Sequence, residues 1–503
     1  MPADYIKKIL AARIYDLVQE TPLDPAPILS QRLGNRILLK REDLQPVFSF
    51  KIRGAYNRLL NLSKPERTAG VIAASAGNHA QGVALSARHL NIAATIVMPR
   101  TAPQIKVAAV QSHGAKVVLH GDTYDQASTH ARELASAQGL THIHPFDDPD
   151  VIAGQGTVGV EILRQCPEQL DAIFVAVGGG GLCAGIATYV KYIRPQVKII
   201  AVEPADAACL ELALRTGRRR TLKQVGLFAD GAAIAQIGRE TFRLLKDQVD
   251  AVLTVSTDEI CAAIKDTFED TRSIVEPAGA LSLAGIKKYV QRENCQGQTL
   301  VGINCGANMN FDRLRYISER TETGEKREAV LAVTIPEKPG SFKRFCRMLS
   351  SRSITEFNYR YAAADKAHIF VGVQIQSEQD RAALIQALDE AGYPVLDLTD
   401  NEMAKLHIRY MVGGHASAVS DEQVYRFEFP ERPGALMQFL TALGSRWNIS
   451  MFHYRNHGAA YGRVLLGMQV PVAERTAVSG ILNDLGYPFW EETTNPAYRL
   501  FLS

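Results

Sequence analysis

The fold is decided by the segment Ala172-Ile173-Phe174-Val175-Ala176-Val177-Gly178-Gly179-Gly180-Gly181-Leu182, in which an apolar run leads directly into four glycines. The apolar run predicts a buried β-strand, and the residues after the glycines predict a helix that begins near Ala184. Such a turn can wrap a phosphate with its backbone amides at the positive end of the helix. Glycine-rich turns also occur without a ligand, and Glu203, about twenty residues further on, leaves a dinucleotide site open as an alternative.

Short β-branched runs alternate with longer helix-like stretches between about residues 35 and 310. Further strand candidates are residues 36–40, 71–74, 94–98, 116–119, 198–202 and 299–303, and residues 124–138 are a helix candidate. This alternation predicts βαβ units and an α/β fold of mostly parallel sheet that is covered on both faces. Ligands of such sheets bind at the carboxyl ends of the strands. The candidate site residues that follow predicted strands are Lys51, Asn78, residues 178–182 and Cys305.

Lys51 lies in Ser49-Phe50-Lys51-Ile52-Arg53-Gly54-Ala55, between an aromatic residue and a predicted helix. Apolar neighbours disfavour the ammonium form of a lysine, and its free amine is a nucleophile that condenses with carbonyl groups. A solvated lysine at a helix start is the ordinary alternative for this position taken alone.

A second polar loop, Ser75-Ala76-Gly77-Asn78-His79, follows an apolar run and opens a helix-like stretch. Small residues and backbone amides at a helix N-terminus are well suited to hold a carboxylate. This loop is therefore a candidate substrate-binding segment.

Taken together, and in their order along the chain, the Lys51 segment, the Ser75–His79 loop and the glycine segment resemble the pyridoxal-phosphate-dependent serine and threonine dehydratase family with C-terminal ACT-like domains. The likeness covers roughly residues 10–320 and includes Lys40-Arg41-Glu42-Asp43, Gly154-Gln155-Gly156-Thr157, Glu276-Pro277-Ala278-Gly279-Ala280 and Cys305-Gly306-Ala307-Asn308. The resemblance implies a catalytic domain of fold type II, similar to the tryptophan synthase β chain.

The same resemblance implies roles for the individual residues. Lys51 would hold pyridoxal phosphate and then remove the Cα proton of the substrate, while Phe50 packs against the cofactor ring. Residues 75–78 would bind the substrate carboxylate, with Asn78 bonding the ring hydroxyl, and residues 178–182 would bind the phosphate.

By the same resemblance, Cys305 matches the position of the partner to the pyridine nitrogen, which is often serine in the family. A neutral thiol does not keep that nitrogen protonated, so we expect elimination to be favoured over racemisation. A buried core cysteine is the alternative, and Glu203 and Glu276 are assigned no catalytic role.

After a charge-dense stretch near residues 318–328, the chain repeats itself. Pro339-Gly340 recurs as Pro433-Gly434, and Phe357-Asn358-Tyr359-Arg360 is answered by Phe452-His453-Tyr454-Arg455. Each copy continues into a strand, at residues 368–373 and 463–468. The repeats predict two ferredoxin-like α+β modules, which resemble ACT-like modules that bind amino acids. We expect a catalytic domain at 1–320, a connector at 321–328, and modules at 329–401 and 423–494.

The resemblance implies the conversion of L-threonine to 2-oxobutanoate and ammonia, the first step of isoleucine biosynthesis. Isoleucine is expected to inhibit the enzyme and valine to relieve the inhibition. Isoleucine is expected to bind beside the Pro339-Gly340 or Pro433-Gly434 turns. The protein is expected to be a homotetramer. Alternatives are a serine dehydratase or serine racemase acting on L-serine, a non-catalytic amino-acid sensor, and a nicotinamide oxidoreductase. The repeats could also serve only as subunit contacts.

Composition excludes several other classes of function. The 503 residues carry a formal net charge of +3 and are 46% hydrophobic, so neither nucleic acid nor an anionic membrane is expected as a partner. No apolar run reaches the ~18 residues that a membrane span requires. The seven cysteines lack metal-ligand spacing, which indicates reduced thiols in the cytoplasm. His142 and His144 lack an evident third ligand, so no metal site is expected.

Overall fold

The structure is a computed structural model of the chain and describes residues 2–324, 327–336, 344–345, 348–349, 352, 354–359, 366–410, 419–430, 439, 447–455 and 461–502. It divides into two compact units, Met1–Ser318 and Glu319–Ser503. Among the described residues, no helix combines the length and the apolar character needed to cross a membrane.

The larger sheet of the first unit has six strands in the order β1-β2-β10-β7-β8-β9. Its strands are β1 (Leu23–Pro25), β2 (Arg36–Lys40), β7 (Ala172–Ala176), β8 (Lys198–Pro204), β9 (Ala251–Val255) and β10 (Thr299–Ile303). Only β1 pairs antiparallel, at one edge, and the other pairings in this sheet are parallel. The strand β7 leads into the glycine segment and lies between β10 and β8, so the carboxyl end of the sheet brings the glycine loop next to Cys305.

A smaller, wholly parallel sheet has the order β5-β4-β3-β6. Its strands are β3 (Val71–Ala74), β4 (Ala94–Met98), β5 (Lys116–Leu119) and β6 (Thr141–His142). The chain leaves β3 at Ser75, which places the polar loop at the carboxyl end of this second sheet. The prediction of an α/β fold with mostly parallel sheets is confirmed.

Most of the helices connect these strands, as expected for crossovers between parallel neighbours, while the first precedes β1 and the last follows β10. They are α1 (Pro2–Leu10), α2 (Pro27–Leu33), α3 (Lys51–Leu60), α4 (Lys64–Ala69), α5 (Asn78–His89), α6 (Gln104–Ser112), α7 (Tyr124–Gln138), α8 (Pro149–Gln165), α9 (Gly181–Ile193), α10 (Cys209–Thr216), α11 (Arg239–Leu245), α12 (Thr257–Thr271), α13 (Pro277–Glu293) and α14 (Arg313–Gly324). Side-chain caps start several of them: Thr123 and Ser256 each form a capping box with the residue three positions on, which satisfies amides that lack a partner in the helix.

The prediction that the helix after the glycines begins near Ala184 was wrong by three residues, because α9 begins at Gly181. Glycine disfavours helix interiors when nothing else compensates. Here the first turn packs against a neighbouring loop: a Cβ on Gly181 would lie 3.0 Å from the Phe146 carbonyl oxygen. Tertiary packing therefore overrides the local preference.

The second unit contains two four-stranded antiparallel sheets with the same topology, β12-β13-β11-β14 and β16-β17-β15-β18. The first sheet comprises β11 (Glu328–Pro336), β12 (Ile354–Tyr359), β13 (Lys366–Gln374) and β14 (Val395–Asp397), and the second comprises β15 (Glu422–Pro430), β16 (Asn448–Arg455), β17 (Tyr461–Gln469) and β18 (Phe489–Glu491). The helices of this unit include α15 (Glu378–Glu390), α16 (Glu402–Leu406), α17 (Arg475–Asp484) and α18 (Pro496–Phe501). The strand order is that of a ferredoxin-like fold, so the prediction of two such modules is confirmed.

Equivalent residues of the two modules make equivalent contacts. The Val330 amide donates to Thr399 Oγ1, and the Val424 amide donates to Thr493 Oγ1, each at 3.0 Å. One apolar core is shared between the modules and includes Val330, Phe370, Val424 and Leu465. The Pro339-Gly340 and Pro433-Gly434 turns, predicted as effector sites, lie outside the described residues.

Candidate active site

A cleft opens in the first unit at the carboxyl ends of the strands of the larger sheet. It brings together Phe50, Lys51, Gly178, Gly179, Gly180, Gly181, Leu182 and Cys305, all of which the sequence singled out. Other lining residues are Pro145, Phe146, Gln155, Ala176, Gly231, Ala232 and Ala278.

Lys51 is the first residue of α3, directly after the Phe50 ring. Its Nζ donates to the Pro145 carbonyl at 3.1 Å and lies 5.2 Å from the centre of that ring. Burial lowers the pKa of Lys51 to about 8, against the opposing effects of Cys305 and Glu276. A larger fraction of the free amine is therefore present near neutral pH than in a solvated lysine, which suits a nucleophile and a base.

The glycine loop has a shape that side chains would obstruct. Gly180 has φ +91°, and a Cβ on Gly179 would lie 2.2 Å from the Phe146 ring. A Cβ on Gly178 would lie 2.9 Å from the Cα of Ala232. Thr241 Oγ1 donates to the Gly179 carbonyl at 2.8 Å and steadies the turn. The bare backbone at the start of the 13-residue helix α9 is suited to an anionic group such as a phosphate.

The polar loop is half-buried and does not line the cleft directly. Ser75 Oγ accepts from the Gly77 amide at 3.2 Å, which shapes the turn into α5. A Cβ on Gly77 would meet nothing within 4 Å, so there is open space beside this turn. Ala76, between them, is also half-buried.

Asn78 lies at the margin of the cleft, since a Cβ on the lining residue Gly231 would be 3.9 Å from its Nδ2. The Asn78 amide is bonded at both ends. Its Nδ2 donates to Glu276 Oε1 at 2.6 Å, and its Oδ1 accepts from Asn308 Nδ2 at 2.7 Å. The orientation of this side chain is therefore determined by two partners that are distant in sequence.

Cys305 follows β10 and is buried, with 4% of its surface exposed. Its Sγ donates to the Ala278 carbonyl at 3.3 Å. Burial, with Glu276 as a second cause, raises the pKa of this thiol, so it is the neutral thiol that faces the cleft. The sulfur also packs with apolar residues of the core, so the two interpretations of Cys305 are compatible.

Glu276 is the functional candidate that sequence reasoning left unassigned. It precedes α13, and its carboxyl is buried against Asn78. Its signals in the sequence were membership of the Glu276-Pro277-Ala278-Gly279-Ala280 motif and a position after an apolar segment. Pro145 and Phe146 had no signal in the sequence at all.

Glu203, in contrast, has a structural role. Its carboxylate accepts from the amides of Leu210 and Glu211 at 2.7 and 2.8 Å, at the start of α10. Of the close histidine pair, His144 uses Nδ1 to accept from the Phe146 and Asp147 amides, which shapes the loop that contacts Lys51.

The residues of the cleft fit pyridoxal phosphate. The cofactor requires an amine, an anion-binding backbone and a group beside the pyridine nitrogen. Lys51, residues 178–181 and Cys305 supply these within one cleft. The glycine loop packs so closely against Phe146 and Ala232 that only residues without a Cβ fit there, which leaves its backbone bare.

Comparison with known proteins agrees with this fit. The model of the pyridoxal-phosphate dependent enzyme family matches residues 14–306, and that of the C-terminal regulatory domain of threonine dehydratase matches twice, over 319–408 and 413–502. The biosynthetic L-threonine dehydratase of Burkholderia multivorans is 56% identical over 503 residues, covering 99% of each chain. That of Escherichia coli is 53% identical, covering 100% of this chain and 97% of the relative.

Among solved structures, the processed form of threonine deaminase isoform 2 from Solanum lycopersicum has a TM-score of 0.62 and 50% identity, covering 63% of this chain and 93% of that chain. The fold and the cleft thus define a pyridoxal-phosphate-dependent enzyme of fold type II, as the sequence predicted. More narrowly, the chain belongs to the biosynthetic threonine dehydratase family, whose catalytic and regulatory parts it matches in order.

Proposed function

We propose that this enzyme eliminates water from L-threonine and releases 2-oxobutanoate and ammonia, as the first step of isoleucine biosynthesis. The observation that carries the proposal is the near-complete coverage of relatives named as biosynthetic L-threonine dehydratases. The cleft around Lys51 supports it, because it contains the amine and the anion-binding loop that this chemistry needs.

Pyridoxal phosphate, when bound, supplies an electron-withdrawing ring that acidifies the substrate Cα–H bond. Lys51 is proposed to hold the cofactor through its amine and then to accept the Cα proton on Nζ. Residues 178–182 would bind the phosphate, and Phe50 would pack against the ring.

Residues 75–78 are proposed to orient the substrate through its carboxylate, and Asn78 to bond the ring hydroxyl. The free space beside Gly77 and the start of α5 support this assignment. The two protein partners use one N–H and one oxygen lone pair of the Asn78 amide, so one N–H of Nδ2 and one lone pair of Oδ1 remain available to the cofactor.

Cys305 is proposed to face the pyridine nitrogen as a neutral thiol and so to limit how much charge the ring can store. Replacing it with a carboxylate would keep the nitrogen protonated. We therefore expect Cys305→Asp to raise the ratio of threonine racemisation to elimination, measured by chiral chromatography of residual threonine alongside product release. Cys305→Ser, a neutral residue of similar size, is the matched control and should leave the ratio low. An unchanged ratio in Cys305→Asp would defeat this account of Cys305.

The second unit is proposed to regulate the first. The proposed divisions are a catalytic domain at 1–320, a connector at 321–328 and modules at 329–401 and 423–494. Isoleucine is proposed to inhibit the enzyme and valine to oppose that inhibition. This requires each ligand to prefer a different state of the enzyme. The apolar core shared by the duplicated modules supports their acting together as one regulatory unit.

Product assays on the full chain test both the substrate and the regulation. With L-threonine we expect 2-oxobutanoate, and isoleucine should shift the half-saturating threonine concentration on the order of 5- to 150-fold, the usual range of coupling between sites. Added valine should reverse the shift, and leucine serves as the control effector. Preferential turnover of L-serine would favour a serine dehydratase or racemase, and absence of any product would favour an amino-acid sensor.

A homotetramer in the cytoplasm is the proposed state of the protein. The strands β12 and β16 lie at sheet edges in the two modules, and such edges are available for pairing with another chain. Cysteines that the structure describes are free thiols, which supports a reducing compartment.

A further inference from the structure

This inference rests on the proposed function, under which two acidic groups converge on Asn78. One is the carboxyl of Glu276, whose Oε1 accepts from Asn78 Nδ2 at 2.6 Å. The other is the carboxylate of the amino-acid substrate, which the proposed function places at residues 75–77, directly before Asn78. A single residue would then separate two carboxyl groups.

The Glu276 carboxyl cannot easily turn away. Only 3% of the residue is exposed, and glycine backbones from two other loops close around it. A Cβ on Gly306 would lie 2.5 Å from Glu276 Oε1, and one on Gly231 would lie 3.3 Å from the same atom. The carboxyl is therefore confined beside Asn78 whatever its charge.

The cations near Glu276 do little to stabilise its ionised carboxylate. The titratable and charged groups that face it are Lys51, Lys106, Asp230, Cys305 and Arg313. Lys106 Nζ lies 2.9 Å and Arg313 Nη1 lies 3.5 Å from the Asp230 carboxylate, so Asp230 shares both of these cations. Burial, followed by the charge of Asp230, raises the pKa of Glu276 to about 7.

We propose that binding of the substrate carboxylate at residues 75–77 drives a proton onto Glu276, which makes Glu276 a positioning residue that acts through Asn78. Two carboxylates at one site cannot both ionise without cost, and the group that can take up a proton does so. The neutral carboxylic acid still accepts the N–H of Asn78, so the amide stays in place while the repulsion is removed.

The sign of the pH dependence follows from this linkage. Below about pH 7, Glu276 is already protonated and binding takes up no proton, so the affinity is independent of this group. Above it, each bound substrate requires one proton, and Kd rises by up to tenfold per pH unit. The rise should appear in KM for threonine more than in kcat, because the effect acts on carboxylate binding.

Binding of L-2-aminobutanoate, the substrate without its β-hydroxyl, tests the proposal on the full-length enzyme loaded with cofactor. Calorimetry near pH 8, in buffers that differ in ionisation enthalpy, counts the protons taken up. Wild type should take up close to one proton more than Glu276→Gln, which keeps the acceptor for Asn78 but cannot ionise. Across pH 6 to 8.5, KM for threonine should rise in wild type and rise less in Glu276→Gln.

Glu203→Gln is the matched control, because burial raises the pKa of Glu203 also to about 7 but its carboxyl lies at α10. It should keep the proton uptake of wild type. Infrared difference spectroscopy of wild type adds a measurement that needs no variant: binding should produce the C=O band of a protonated carboxyl.

Equal proton uptake in wild type and Glu276→Gln, or absence of that band, would overturn the inference. The proposed function would survive such a result if borohydride reduction still fixes the cofactor to Lys51. Loss of that labelling in wild type would instead overturn the proposed function and this inference together.

Discussion

Replacement of Lys51 by alanine is expected to lower the rate of threonine elimination on the order of 10³-fold or more. Proton transfer by a positioned base alone contributes about 10²- to 10⁴-fold, and Lys51 is also proposed to hold the cofactor. Its Nζ lies in the cleft with the glycine loop and Cys305, and the lowered pKa increases the fraction of free amine. Lys106, a second lysine in this region, pairs with Asp230 at 2.9 Å.

Lys51→Arg sharpens this test, because arginine keeps a cation but cannot form the same covalent link to the cofactor. Both variants should lose the absorbance of the bound cofactor and the mass that borohydride reduction adds to the Lys51 peptide. Lys191→Ala is the control; Lys191 pairs with Asp250 at 2.7 Å, at the end of α9, and the variant should keep both signals. Labelling of a different lysine in wild type would contradict the assignment.

Replacement of Arg53 by methionine is expected to destabilise the first unit by about 3–5 kcal/mol, the range seen when one partner of a buried ion pair is removed. Arg53 is fully buried on α3, two residues after Lys51. Its guanidinium donates to Glu42 at 2.7 Å and to Glu161 at 2.5 Å. Lys40 Nζ lies 2.6 Å from Glu161, so removal of Arg53 leaves one buried cation for two carboxylates.

The pKa of Arg53 reflects the same balance: burial opposes its charge, and the Glu42 and Glu161 carboxylates outweigh burial and raise the pKa. Thermal unfolding of the cofactor-loaded enzyme should show a midpoint temperature lowered by several degrees. Urea unfolding should show a midpoint concentration lowered by a substantial fraction of the wild-type value. Arg36→Met is the control, because its ion pair with Glu168 is 57% and 79% exposed and such pairs contribute about 0–1 kcal/mol. Equal effects of the two substitutions would show that the buried network is not a major source of stability.

Much of the architecture was predictable because it is encoded locally. The strand at 172–176 could be recognised from consecutive apolar residues, and the strands at 36–40 and 299–303 from short β-branched runs. Lys51 could be identified as a candidate because its immediate neighbours are apolar and aromatic. The two ferredoxin-like modules followed from the repetition of motifs along the chain.

The start of α9 shows where local reasoning fails. Glycine propensity places the helix start near Ala184, but α9 begins at Gly181, where the first turn packs against Phe146 of a separate loop. Glycine propensity alone therefore does not locate the start of a helix that packs against segments remote in sequence.

By itself, the sequence determined the α/β catalytic fold and the duplicated regulatory modules, and it identified the glycine loop and Lys51 as candidate site residues. All of these depend on residue patterns within a few neighbouring positions. Only the tertiary structure decided that Glu276 and Asn308 hold the Asn78 amide, across 198 and 230 residues. The same is true of Pro145, which meets Lys51 across 94 residues. The physical reason is that periodicity and turn chemistry act over short stretches, whereas the environment of a buried polar group is created only when separate elements pack together.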